Sequence, residues 1–340
     1  MDNIYGYTRP MLEEYFEKLG EKKFKATQVF EWLYQKKVSS FSKMTNIKKD
    51  VIEQLNSDFN TSKIKIVKKL SDEGTYKYLF ELSDNNHVEA VVMAHDYGSS
   101  ICVSSQVGCN MGCAFCESGR LKKVRNLDTY EMVEQILLIE DDLNIRLSSV
   151  VIMGIGEPFD NYDNVIKFLT IINDAKGLAI GARHITVSTS GLVPKILEFA
   201  SFPLQINLAI SLHAPYDELR SKLMPVNKVY NIEQLIDAIK KYYAKTNRRI
   251  TIEYVMLNGV NDSLDDAKKL ATLLKDLNVY VNLIPYNETN HIEFKRTPKN
   301  KILEFGKVLQ DNNITVTIRK EFGKNIQAAC GQLRSKEVEK

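Results

Sequence analysis

No stretch of this sequence is both long and apolar. The most hydrophobic run, 150–155, falls far short of the roughly 20 residues that a membrane-spanning helix needs. Net charge is nearly absent, +3 over 340 residues, so composition alone does not announce a nucleic-acid partner. Any such partner has to be argued from local basic runs. Residues 1–10 hold acidic and polar side chains and no apolar segment, so no secretory signal is expected and a cytoplasmic, non-membrane protein is. Internal repeats and low-complexity tracts are missing as well. Cysteine is scarce: there are five, an odd number, which argues against a disulfide framework.

What is present is an ordinary globular composition, 44% hydrophobic and 26% charged, at a length that suits two domains. The first 60 or so residues read as helical, with Val29, Phe30, Leu33 and Tyr34, then Val51, Ile52 and Leu55, recurring at helical spacing. Alternating strand-like runs follow over 63–69, 75–82 and 88–94, separated by turn-formers such as Asp72-Glu73-Gly74. From about residue 100 short β-rich runs (101–105, 149–153, 184–188, 206–212, 250–256, 280–284, 314–318) alternate with amphipathic helical ones (130–139, 165–172, 232–243, 264–274, 302–309). Asp128, with Glu131 three residues on, offers a capping-box start to the first of these helices. Repeated βα units build a parallel sheet, either doubly wound or barrel-like. The expected domains are 1–95, a helical and β accessory module, and 96–334, the βα unit, with 335–340 as a tail.

Four of the five cysteines, Cys102, Cys109, Cys113 and Cys116, fall within fifteen residues. In a reducing compartment such clustering points to metal or redox chemistry. Cys109-Asn-Met-Gly-Cys113-Ala-Phe-Cys116 places three thiols on one loop directly after a strand. Soft thiolates there suit an iron–sulfur cluster or a zinc ion. Three cysteines on a four-iron cluster leave one iron open to a chelating ligand. Zinc would want a fourth ligand and more often uses paired C-x-x-C units.

The CxxxCxxC spacing after a β-strand is the signature of the radical S-adenosylmethionine superfamily. The whole chain resembles its RlmN/Cfr family of RNA adenine methyltransferases. The motifs that carry the likeness are Lys25-Ala-Thr-Gln-Val-Phe-Glu-Trp-Leu-Tyr34, Cys102-Val-Ser-Ser-Gln-Val-Gly-Cys109, Met153-Gly-Ile-Gly-Glu-Pro158, Ser188-Thr-Ser-Gly191, Ser211-Leu-His213, Leu283-Ile-Pro-Tyr-Asn287 and Ala328-Ala-Cys-Gly-Gln-Leu333. The resemblance implies an α/β fold, a partial (β/α) barrel of the radical SAM type with a small N-terminal α+β accessory domain. It implies that Cys109, Cys113 and Cys116 hold a 4Fe-4S cluster. Gly156, Glu157, Ser188, Ser211, Leu212, His213 and Asn287 then match the family's S-adenosylmethionine contacts. Cys330 matches the cysteine that carries the methyl group, Cys102 its redox partner, and Glu89 a carboxylate that accepts a proton.

The family's scheme suits its substrate. An adenine carbon between two nitrogens is electron-poor and does not attack a methyl sulfonium, but a carbon radical can add to it, and the hard chemistry belongs to the cofactor. Two S-adenosylmethionine molecules are consumed per turnover, one methylating Cys330 and one supplying the radical. Attack of Cys102 on the Cys330 sulfur then releases the product and leaves a disulfide, which an external electron donor reduces. The implied substrates are 23S rRNA in the peptidyl-transferase region and tRNA beside the anticodon, methylated at carbon 2. Pro158 and Val107 favour that branch over the carbon-8 branch that confers antibiotic resistance. A reading of another class is a zinc-stabilised RNA-binding protein without catalysis.

One departure stands out: Glu117-Ser118-Gly119 follows Cys116, where relatives carry a small residue and threonine before the glycine. Glu89 in isolation would be a solvated strand residue, and Ser188 and Ser211 could simply cap turns. Gly154-Ile-Gly156 lacks the third glycine of a dinucleotide fingerprint. For RNA the candidate phosphate contacts are Lys63, Lys65, Lys68 and Lys69, the run 120–125, and Lys295, Arg296, Lys299 and Lys301.

Overall fold

The computed structural model describes residues 1–289, 291–320, 323, 325–328 and 330–333; the expected tail, 335–340, lies outside the described residues. Three helices open the chain: α1 (Arg9–Lys18), α2 (Phe24–Tyr34) and α3 (Lys49–Asp58). Each buries a stripe at three- and four-residue spacing, among them Leu12 and Phe16, Val29, Phe30 and Leu33, and Val51 and Leu55. This is the helical start that the periodicity implied.

A single ten-stranded sheet follows, with its strands lying side by side in chain order. Strands β1 (Lys65–Asp72), β2 (Thr75–Glu81), β3 (His87–His95) and β4 (Gly98–Cys102) form an antiparallel meander. From β4 onward the pairing is parallel: β5 (Leu147–Ile152), β6 (Ile185–Thr189), β7 (Asn207–Ser211), β8 (Ile250–Met256), β9 (Val279–Pro285) and β10 (Thr315–Ile318). The turn foreseen at Asp72-Glu73-Gly74 is a two-residue loop with positive φ at Glu73 (42°) and Gly74 (78°), the twist that suits a tight hairpin.

Helices α4 (Thr129–Leu143), α5 (Tyr162–Asn173), α6 (Val193–Phe199), α7 (Asp217–Leu223), α8 (Ile232–Thr246), α9 (Leu264–Leu274) and α10 (Lys299–Asp311) fill the parallel crossovers. Every residue of β8 is buried, as a parallel strand covered on both faces requires. Helices α6 and α7 escaped the sequence reading because seven residues are too few to show a period. At the start of α4, Glu131 Oε2 accepts the Asp128 N–H at 2.8 Å, as the capping-box pattern implied.

The expected boundary at 95/96 falls in the turn between β3 and β4. Those strands are paired from Val91–Cys102 to His95–Gly98, so one sheet runs through it. This continuity places β1–β3 beside the strand that ends at Cys102.

A reciprocal cap fixes α8: Asn231 Oδ1 accepts the Gln234 N–H at 2.9 Å and Gln234 Oε1 accepts the Asn231 N–H at 3.0 Å. Asn231→Ala should therefore lower unfolding free energy by about 1 kcal/mol, measurable by denaturant titration, with cluster and cofactor binding unchanged.

Candidate active site

Parallel strands in register bring their C-terminal ends to one edge, and the loops that leave that edge build a cavity. Its walls include Cys109, Cys113 and Cys116 on one side and Gly156, Glu157, Ser188, Ser211, His213 and Asn287 on the other, with Cys330 at its margin. Of the expected cofactor contacts only Leu212 is absent from the wall. Its side chain is fully buried in the core, its N–H donates to Glu253 O at 3.1 Å, and its carbonyl accepts from Arg220 Nε at 3.2 Å.

The cysteine loop is wound tightly. Gly108 has φ 73°, and a Cβ there would lie 2.2 Å from Lys122 O. The loop is pinned from outside by Cys109 N–H to Leu121 O and Ala114 N–H to Leu223 O, at 3.0 and 2.9 Å. Burial pushes the Cys109 thiol up to about 12, and the Cys113 and Cys116 thiols up as well. The thiols also raise one another: Cys113 by Cys116 and Cys109, and Cys109 by Cys116.

Opposite them, the loop after β5 packs its glycines against residues 103–106. At Gly156 (φ 112°) a Cβ would lie 2.6 Å from Gln106 Cβ. Gln106 Oε1 accepts the Glu157 N–H at 2.9 Å, and the Glu157 carboxylate accepts the N–H groups of Ser190 (2.7 Å) and Phe159 (3.0 Å). Burial raises the Glu157 pKa against these hydrogen bonds. His213 sits at φ 57°, its Nδ1 accepting the Val255 N–H at 3.0 Å, so its proton is on Nε2.

Sequence reasoning passed over Arg220, which reads as one more charge on a short helix. It is fully buried, and its guanidinium donates to the strand-end carbonyls of Ser190 (2.7 Å), Ser211 (3.1 Å) and Leu212, and to Asn227 Oδ1 (2.9 Å). It thereby ties the ends of β6 and β7 together. Burial lowers its pKa to about 10.

A second cavity adjoins the first. Cys102 and Cys330 both line it, with Arg319, Asn287 and Met153. All five cysteines are free thiols. Cys102 is pushed up to about 12 by burial and then by Cys330, and Arg319 opposes that rise. Arg319, also unforeseen, lies 3.9 Å from Glu253 and donates to Met153 Sδ at 3.7 Å. Glu89 lines neither cavity. It faces a third one with Lys77 and Gln327, and pairs with Lys77 at 2.9 Å. The solvated role that Glu89 alone suggested is excluded, since it is buried.

Comparison with known proteins decides the family. The Radical SAM superfamily profile matches residues 103–273, and that of the ribosomal RNA large subunit methyltransferase N-terminal domain matches residues 2–60. A probable dual-specificity RNA methyltransferase RlmN from Acholeplasma laidlawii is 53% identical over 98% of this chain and 99% of its own. One of the same description from Listeria welshimeri is 54% identical over 99% and 95%. A crystal structure of a radical SAM methyltransferase from Sphaerobacter thermophilus superposes with a TM-score of 0.92 at 40% identity, covering 98% of this chain and 99% of that one. This chain belongs to the RlmN family of radical SAM RNA methyltransferases.

The RlmN family works with a 4Fe-4S cluster and S-adenosylmethionine, and the residues present fit both. Among the described residues no three His, Cys, Asp or Glu side chains converge on one ion-sized point. A cuboidal cluster asks instead for thiolates around a shared cage, one to an iron. The three thiols facing one cavity meet that need, and the cage would supply the positive charge that their burial and mutual repulsion call for. The carboxylate of Glu157 and the strand-end hydroxyls opposite suit an ammonium and hydroxyl-bearing ligand.

Several basic residues expected to meet phosphate are engaged within the chain. Lys65 pairs with Glu81, Lys69 with Asp142, Lys123 with Asp160, Arg125 with Asp84 and Glu131, and Lys295 with Glu288. The exposed ones, such as Lys65–Glu81 and Lys295–Glu288, are weak, whereas Arg125 is held by the buried Glu131 carboxylate. No helix among the described residues is long and apolar enough to cross a membrane.

Burial, and then Arg220, hold the His213 pKa down at about 3, whereas an unfolded imidazole titrates near 6.5. Above the higher value both states are neutral; below it only the unfolded chain takes a proton, so stability is lost on acidification. His213→Gln removes that loss. Its stability deficit should shrink by about 2 kcal/mol between about pH 7.5 and pH 5, read by denaturant titration at both values. A pH-independent deficit would mean that the imidazole titrates normally.

Proposed function

We propose that this chain methylates carbon 2 of adenosine in 23S rRNA and in tRNA by way of a methyl group carried on Cys330. One observation carries the reading: Cys330 lines both cavities, whereas the three loop thiols face only the first and Cys102 only the second. A sulfur at that junction can load on one side and be resolved on the other. The relatives' description as dual-specificity RNA methyltransferases supports two RNA classes as substrates.

In this reading Cys109, Cys113 and Cys116 hold the cluster, and Gly156, Glu157, Ser188, Ser211, His213 and Asn287 surround S-adenosylmethionine, while Leu212 supports them from the core. When bound, these groups supply a methyl group and a carbon radical. The protein's part is positioning and proton handling. Glu157 takes the ligand's ammonium, Nε2–H of His213 donates, and Arg220 keeps the strand ends fixed around the ligand. Glu89, kept beside an ammonium by Lys77, is the carboxylate that accepts the proton lost from the base. Cys102 attacks the Cys330 sulfur: an S–S bond forms, the bond from sulfur to the transferred carbon breaks, and its electron pair stays with that carbon, which takes up a proton. Arg319, which lines the second cavity with both cysteines, favours the attacking thiolate. Reducing the disulfide takes two electrons from an external donor, consistent with a cytoplasmic enzyme.

Anaerobically prepared protein should be brown and hold about four irons per chain after reconstitution, and Cys113→Ala should lose them. One tightly bound zinc and no iron would remove the radical reading. Cys330→Ala should give neither S-methylcysteine nor methylated RNA, while Cys102→Ala should accumulate a covalent protein–RNA adduct. Normal turnover by the Cys102 variant would remove the resolution step. Digestion of treated rRNA and tRNA fragments should yield 2-methyladenosine as the dominant product by chromatography and mass spectrometry; dominance of 8-methyladenosine would move the chain to the other branch.

A further inference from the structure

Cys330 sits in a short segment gripped on both sides. Toward the cluster, the Glu117 N–H donates to Gly331 O and Ser118 Oγ to Leu333 O, each at 2.8 Å, and Gln332 Nε2 donates to Glu288 O at 3.0 Å. Toward the accessory module the β1–β2 hairpin holds it. Asp72 accepts from the backbone and side-chain nitrogens of Asn325 at 3.2 and 3.0 Å, and Lys77 Nζ donates to Gln327 O at 3.2 Å. Ala328 and Leu333 pack between these grips with Val91, Cys102 and Ile155.

Lys77 does two things at once. It is buried, and besides the Gln327 carbonyl it engages Glu89 Oε1 at 2.9 Å. The register sets this up: Lys77 lies opposite Val91, and Val91 opposite Cys102, so the three share one face. Glu89 is two residues from Val91 and faces the same way, toward the edge where β4 ends. An ammonium has three donors in a compact head, enough to serve a carboxylate and a carbonyl together. A buried ion pair is a poor device for stability, since an apolar pair of like volume serves as well. What the pair adds is a fixed spacing between a carboxylate and the backbone three residues before Cys330.

We propose that Lys77 is a positioning residue that sets the Cys330 sulfur relative to Glu89, by holding the Cys330 segment and the Glu89 carboxylate on one ammonium. The inference rests on the roles proposed above for Cys330 and Glu89, and it predicts what loss of the ammonium does: the segment opens more often, and radical generation runs without productive transfer.

The test uses iron-loaded protein throughout and has an arm that needs no RNA. In that arm Cys330 alkylation by iodoacetamide is timed by peptide mass spectrometry. Lys77→Met should raise the rate about tenfold, the population change that loss of one charge-assisted hydrogen bond brings. Lys77→Arg should restore the wild-type rate. Asp72→Ala, at the exposed end of the hairpin, should raise it about threefold, since water screens and competes for the bonds it removes. In the second arm, 5′-deoxyadenosine formed per methylated adenosine should rise about tenfold in Lys77→Met and return toward the wild-type ratio in Lys77→Arg. A merely destabilised variant would lose iron and both products together, leaving the ratio unmoved. Unchanged alkylation and an unchanged ratio in Lys77→Met overturn the proposal; if that variant takes up no iron, an unchanged alkylation rate in Asp72→Ala overturns it. Wild-type protein that methylates no adenosine would instead defeat the functional reading, while the alkylation arm still decides whether Lys77 holds the segment.

Discussion

The parallel register of β4 through β10 is the constraint from which the site hangs. Because the strands advance in step, Cys102, Ile152, Thr189, Ser211, Met256, Pro285 and Ile318 end along one edge, and the side chains that follow them face a common space. No single loop creates the cavity; it exists because seven strands stop together. The interior of β8, buried along its whole length, shows what holds them in step. A one-residue slip would exchange core-facing for outward-facing side chains along an entire strand.

That arrangement leaves strand-end backbone to be satisfied away from water, and buried charge does much of it. The guanidinium of Arg220 collects carbonyls from two strand ends, and the Glu157 carboxylate collects amides from its own loop and from the end of β6. Glu253 accepts from Asn282 on the next strand at 2.9 Å and lies beside Arg319. Each of these charges is costly to bury and each is met by several partners, the condition under which such groups are tolerated. They also make the loops rigid before any ligand arrives, and a preorganised site loses less on binding.

Legibility in the sequence follows the range of the interactions involved. Thiols four and three residues apart on one loop and the tight turn at Glu73-Gly74 are local, and they read directly, whereas the Gly-Glu pair at 156–157 was legible only through the family resemblance. The alternation of β and α runs also read well, because burial imposes a period on each element. Arg220 and Arg319 did not, since their meaning lies in what other strands bring to them and not in their neighbours along the chain. Leu212 is an intermediate case: its place at a strand end was legible, but that its side chain turns into the core was not. The departure at Glu117-Ser118 resolves in part, because the Ser118 hydroxyl donates to the Leu333 carbonyl.

Long-range contact also explains why the accessory module matters to the chemistry. A division near residue 95 suggests a separate accessory domain for RNA binding, yet β1–β3 continue the sheet of the parallel strands and their hairpin grips residues 325 and 327. The segment that carries Cys330 is therefore clamped between the first strands of the sheet and the cluster loop, about 250 and 215 residues away in sequence. Closing loops of that length costs conformational entropy that no local propensity repays, so the clamp depends on the sheet that brings its parts together.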